Sequence, residues 1–276
     1  MITDWDDAYA NRDHIPGADA FIPRWQAAAA AFRSALGPRA VCDIPYGPGP
    51  RQRFDLFQPQ QGAPARLAVF VHGGYWRAFD KSFWSHLAAG ALARGWAVAM
   101  PSYTLAPEAR ISAITAEVAA AITAAAGRVA GPIRLAGHSA GGHLVSRMAC
   151  AGSPLPGTVA ERVVHVLSIS GVHDLRPLLR TATNDDLRLD IAEARAESPA
   201  LLEPRAGVRL TAWAGGAERP EFRRQNALIA NVWTGLGTDT RAVEDPGRHH
   251  FDVIEPLAEA ESPLTAAFTG ADGWPG

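Results

Sequence analysis

The chain has 276 residues, 47% of them hydrophobic and 20% charged, which suits a single α/β domain with a large core. A formal net charge of −2 gives no electrostatic footprint for nucleic acid or an anionic membrane surface. Cys42 and Cys150 are the only cysteines, too few and too far apart for a disulfide framework or a metal cluster. The acidic start, Met1 to Asp7, lacks a positive region followed by an apolar one, and no uninterrupted apolar run would span a bilayer. A soluble cytoplasmic protein without a signal peptide is expected, acting on a small molecule; a homodimer is left open.

Residues 1–40 form an N-terminal extension. Asp4 to Asp19 is polar and turn-rich, and a helical pattern then runs from Ile22 through Trp25 and Phe32 until Gly37-Pro38 stops it. An alanine-rich helix is marginal alone, so Trp25 and Phe32 should pack on the main body, as a clasp or as a wall of an active-site mouth. Val41–Tyr46 and Arg53–Phe57 read as a hairpin, followed by a loop from Pro59 to Pro64. Leu67–Val71 is a continuous apolar run typical of a strand covered on both faces.

From there strands and helices alternate. A helix is expected over Lys81–Arg94, a strand over Trp96–Met100, a helix over Ile111–Ala126, and strands at Ile133–Ala136 and Val163–Ile169. Residues 171–207 interrupt the pattern with a charge-rich insertion, in which two short amphipathic helices fit around a break at Thr181–Asn184. The insertion is either a solvated face or a cap over the site. The alternation resumes with strand Val208–Ala214, helix Pro220–Trp233, strand Thr238–Val243 and a last helix over Val253–Phe268; the tail from Gly270 is expected to be disordered. The fold class is α/β: a mostly parallel twisted sheet with helices on both faces, without internal repeats or an interdomain linker.

The chemistry centres on Gly137-His138-Ser139-Ala140-Gly141, which breaks the strand at 133–136 and opens a helical pattern through Leu144, Val145 and Met148. A Gly-x-Ser-x-Gly between strand and helix is the nucleophile elbow, whose sharp turn pushes the serine hydroxyl outward. The five-residue pattern alone also fits an ordinary strand–turn–helix joint; its position favours the elbow. A nucleophilic serine needs a base, and the base needs an orienting acid. On such a sheet these follow in the order serine, acid, histidine at the ends of later strands, where the chain has Glu218 and His250. His249 is the fallback base, Asp174 a rival acid one strand early, and Glu221 a helix N-terminal carboxylate. His138 and His143 are expected to pack or cap, and His72 to fix a loop by hydrogen bonds. The N–H groups of Gly74, Tyr75 and Ala140 could bind an oxyanion. A non-catalytic binding protein on the same scaffold is the rival from another class; such proteins usually lack a triad member, and here all three are present.

His72-Gly73-Gly74-Tyr75-Trp76, Gly137 to Leu144, Gly215 to Gln225 and His250-Phe251-Asp252 together resemble the kynurenine formamidase (arylformamidase) branch of the α/β-hydrolases, close to the hormone-sensitive-lipase-like esterases. The likeness runs from about Asp7 to Leu257. It implies an α/β-hydrolase fold with a small cap and hydrolysis of N-formyl-kynurenine to kynurenine and formate, without metal or other cofactor. In this resemblance Ser139 is the nucleophile, Glu218 the acid and His250 the base. Gly74, Tyr75 and Ala140 form the oxyanion hole, and Trp76 and Tyr103 shape an aromatic-accepting pocket. Glu218 departs from the Asp of the best-known members, which bears on substrate more than on mechanism. Cleavage of small or aryl esters is the alternative activity.

Overall fold

The computed structural model describes residues 2–60 and 64–270. An eight-stranded sheet runs in the order β1-β2-β4-β3-β5-β6-β7-β8. The strands are β1 (Ala40–Pro45), β2 (Arg53–Phe57), β3 (Leu67–Val71), β4 (Ala97–Pro101), β5 (Ile133–His138), β6 (Val163–Ile169), β7 (Arg209–Gly215) and β8 (Thr240–Asp245). The β1–β2 and β2–β4 pairings are antiparallel, and all pairings from β4 to β8 are parallel.

Side-chain alternation explains why the central strands read as unbroken apolar runs. Leu67, Val69 and Val71 of β3 enter one core, whereas Ala68 and Phe70 enter the core on the opposite face. Ala97 and Ala99 of β4 divide from Val98 and Met100 in the same way. Helices Ile111–Ala126, Ala140–Met148 and Pro220–Gly235 supply the first core; Phe21–Leu36 and Pro263–Thr269 supply the second. Fully burying one such aliphatic side chain contributes about 1.5–3 kcal/mol, so two dry faces stabilise the sheet that carries the site.

The extension docks as expected. Phe21, Trp25 and Ala29 form one buried stripe of helix Phe21–Leu36 at four-residue spacing, and Phe32 meets Phe57 edge-on at 5.9 Å between centroids. Two expected helices are broken. Lys81–Arg94 is instead two 3₁₀ turns, Lys81–Phe83 and Ser85–Ala88, followed by the short helix Ala89–Ala93. Here Trp84 is drawn into the second core, and the Asp80 side chain accepts the Ser82 N–H at 2.7 Å. The expected last helix becomes a 3₁₀ turn, Glu255–Ala258, and helix Pro263–Thr269. Pro256 and Pro263 lack the N–H needed inside a helix, and Ser262 caps the second piece. In the insertion, a 3₁₀ turn at Arg176–Arg180 precedes helices Asn184–Leu187 and Ile191–Ala196.

Among the described residues no helix is long and apolar enough to cross a membrane. The tail beyond Gly270 and positions 61–63 of the expected loop lie outside the described residues.

Candidate active site

Parallel register brings the strand ends to one edge. Val71 pairs with Gly137, His138 with Ile169, Ile169 with Trp213, and Gly215 with Asp245. The segments that follow these residues therefore emerge together, as ligand-binding loops of open α/β sheets do.

Ser139 stands at the apex of the first, with φ 54° and ψ −116°. A non-glycine residue is strained there and persists only where its surroundings over-determine it. Its N–H donates to Ile169 O at 2.8 Å, and its carbonyl accepts the His143 N–H at 3.1 Å, opening helix Ala140–Met148. Gly141 is required because a Cβ there would lie 2.0 Å from Val71 O. Gly73 lets the neighbouring loop close on the serine, since its Cβ would stand 3.0 Å from Ser139 Cβ.

Glu218 and His250 come from the ends of β7 and β8. His250 Nδ1 donates to Glu218 Oε2 at 2.7 Å. The other carboxylate oxygen accepts from Ser170 Oγ at 2.5 Å and from the Gly215 N–H at 2.7 Å. With Nδ1 carrying the proton, Nε2 of a neutral ring is left as a base. Both His250 and Ser139 line the same cavity, and among the described residues no hydrogen bond yet joins them. Such contacts often tighten only once substrate is bound.

His249 plays a different part: its Nδ1 accepts the N–H groups of Phe251 and Asp252, each at 3.2 Å, so it caps the turn that presents His250. Asp174 is held by Arg176 at 2.8 Å, and Glu221 by Tyr9 Oη at 2.7 Å and by Arg224. The remaining candidates are packing groups. His138 Nε2 donates to His250 O at 2.9 Å, and burial, with the neighbouring His250, holds its pKa well below the usual histidine range. Burial takes His72 and His143 down to about 4, against small opposing contributions from hydrogen bonds to Gly73 O and Glu197 O.

Loop 72–76 has φ of 112°, 50° and 56° at Gly74, Tyr75 and Trp76. The N–H groups of Gly74, Tyr75 and Ala140 have no acceptor among the described residues, so they remain available to a ligand.

The cavity has a volume of about 510 Å³. Its apolar wall is aromatic: Trp25 packs against Trp84 at 4.6 Å and Phe251 at 5.4 Å, with Phe79 beyond Trp84 at 6.0 Å. Asp6 and residues 9–13 of the N-terminal segment and Thr181–Thr183 of the insertion also line the cavity. Asp6 joins these two by accepting the Ala182 N–H at 2.7 Å, while Arg77 ties the glycine loop to Asp186 at 2.7 Å.

Trp76 and Tyr103, expected to shape this pocket, do not line it. Both are fully buried behind the loop, Trp76 edge-on to His143 at 5.2 Å and Tyr103 stacked on His72 at 4.5 Å. The positive φ at Trp76 turns its indole inward, and Tyr103 Oη donates to His72 O at 3.0 Å, so these rings brace the loop from below. Sequence reasoning missed Ser170, Tyr9 and Asn11. Ser170 had a faint signal in its place just after a core strand; the other two had none beyond a polar, turn-rich segment.

The BD-FAE family model matches residues 54–194. Kynurenine formamidase of Danio rerio is 26% identical over 236 residues, covering 82% of this chain and 80% of that protein. A solved structure from Silicibacter sp. TM1040, provisionally called a thioesterase, is 52% identical with a TM-score of 0.92, covering 96% of this chain and 99% of that one. An esterase of Pyrobaculum calidifontis shares the fold, with a TM-score of 0.69 at 17% identity over 92% of this chain and 94% of its own. The chain thus belongs to the BD-FAE family and is a hydrolase with the α/β-hydrolase fold, similar in sequence to kynurenine formamidases.

Proposed function

We propose that this hydrolase cleaves an aryl formamide, N-formyl-kynurenine, to kynurenine and formate in the cytoplasm, using Ser139, His250 and Glu218. The observation that carries this reading is the Glu218–His250 pair opening, beside Ser139, onto a cavity walled by aromatic rings. Ser139 Oγ attacks the formyl carbon while His250 Nε2 takes its proton, and Glu218 holds the ring and stabilises the imidazolium. The N–H groups of Ala140 and of Gly74 or Tyr75 bind the oxyanion. His250 then protonates the departing aryl amine, and water, activated by the same ring, frees formate from the serine. A formyl group needs almost no acyl pocket, so binding energy must come from the leaving group, for which the aromatic wall is suited. Residues 171–207 act as a cap through Thr181–Thr183.

A second reading, cleavage of small or aryl esters or thioesters, is favoured by the 52% identical relative from Silicibacter. Side-by-side kcat/KM for N-formyl-kynurenine and p-nitrophenyl acetate separates the two. Preference for the formamide is expected, and strong preference for the ester would retire the formamidase reading. Fluorophosphonate labelling of Ser139 tests the mechanism independently of substrate.

A further inference from the structure

Among the side chains lining the cavity, the Asn11 amide and the Trp25 and Trp84 indole N–H groups have no partner, and only Asn11 offers both a donor and an acceptor. Asn11 lines the cavity and is 4% exposed, and neither its Oδ1 nor its Nδ2 makes a hydrogen bond among the described residues. A buried amide left unpaired at both ends is costly, so such a group normally has a water or a ligand as its partner. The backbone beneath it is fixed. Asn11 N–H donates to Tyr9 O at 3.1 Å, and its carbonyl accepts the His14 N–H at 3.1 Å. Tyr9 is anchored in turn by Glu221, by Gln225 at 3.1 Å and by the Tyr75 hydroxyl. The amide is therefore presented in place rather than left to find its position, which lowers the ordering cost of any group it binds.

We propose that Asn11 is a specificity-determining residue that recognises an α-amino-acid group on the leaving portion of the substrate. A free donor and a free acceptor on one side chain match a zwitterion: the ammonium donates to Oδ1 and the carboxylate accepts from Nδ2. Arg12, paired with Asp19, and Asp13, next in the chain, also line the cavity. A ligand offering only donors or only acceptors would leave one end of the Asn11 amide unpaired. Trp25, Trp84 and Phe251, packed on one another in the same lining, offer ring faces to the aryl group and leave the tail to Asn11. For the ring that bears this tail, the inference rests on the aryl formamide reading above.

The test is equilibrium binding, followed by calorimetry, of kynurenine and of aniline to the full chain and to its Asn11→Ala and Asn11→Leu variants. Thermal melting checks that each variant is folded, and Asn11→Ser replaces either one that is not. Kynurenine is expected to bind the unaltered protein more tightly than aniline by ~10-fold or more. The variants should weaken kynurenine by ~10-fold and leave aniline within about threefold. Equal weakening of both ligands, no weakening of kynurenine, or no preference for kynurenine in the unaltered protein would overturn the proposal. Because binding is read without turnover, the tail site can stand even where N-formyl-kynurenine is not hydrolysed, and can fall where it is.

Discussion

Two buried glutamates, Glu197 and Glu218, have surroundings that send them to different ends. Glu197 is clamped by Arg147 at 3.1 and 3.2 Å and by Thr115 Oγ1 at 2.7 Å, while its backbone carbonyl accepts from His143 at 2.7 Å. Neither Glu197 nor Arg147 lines the cavity. Glu218 has a similar set of partners, Ser170, the Gly215 N–H and a basic side chain, but that side chain is His250, which faces the cavity beside Ser139. The chemical class of the pair is the same. A sealed pair can act only on stability, whereas a pair with one nitrogen open to a cavity can move a proton.

Substitutions can break this contrast, and the largest effect is expected on the open side. Replacing Ser139 by alanine should lower kcat/KM by at least ~10⁴-fold with little change in melting temperature, because it removes the attacking atom and no packing. Residual turnover near that of the unaltered enzyme would exclude Ser139 as nucleophile. Glu218→Gln should lower kcat by roughly 10³–10⁴-fold through loss of the histidine tautomer and of imidazolium stabilisation. Its melting temperature should fall less than that of Glu197→Gln, since its neighbours are neutral and no charge is stranded.

Glu197→Gln should show the reverse. It leaves the Arg147 guanidinium buried without a counter-charge, at a cost of about 3 kcal/mol or more, seen as a melting point lower by roughly 6–12 °C. Activity at low temperature should stay within a few-fold; a loss comparable to that of Glu218→Gln would erase the distinction.

Taken per ring and per pH unit, the smallest effect is the response to acid. Burial lowers His143 to about 4 and His173 to about 3, so both fold as neutral rings. The unfolded chain takes up their protons first, at about pH 6.5, so this stabilisation is complete above that value. It is lost as pH falls from there toward each folded value, at about 1.4 kcal/mol per pH unit for each ring. Melting curves should be flat in this respect above pH 6.5 and slope downward below it, and His143→Gln should reduce the slope. An unchanged slope in that variant would remove His143 from the sealed cluster's acid response.

Much of this arrangement was legible in the chain. Gly137 to Gly141 between a buried strand and a helical pattern announced the strained serine, and Glu218 and His250 followed at the ends of the next suitable strands. The choice between adjacent His249 and His250 was less accessible, because it depends on which ring the Phe251 and Asp252 amides cap. Trp76 shows the limit most plainly: an aromatic residue ending a glycine loop reads as a pocket wall, and a positive φ turns it into the core.

The sequence by itself determined the alternation of elements, the parallel sheet and the elbow, because hydrophobic period and glycine placement act over a few neighbouring residues. Only the tertiary structure decided what surrounds the serine. The cavity wall comes from segment 6–13, from helix Phe21–Leu36 and from Thr181–Thr183. Their positions depend on contacts such as Tyr9 with Glu221, 212 residues apart, and Asp6 with Ala182, 176 apart. No local pattern encodes such pairings: they form only when the docking surfaces of the whole sheet already exist.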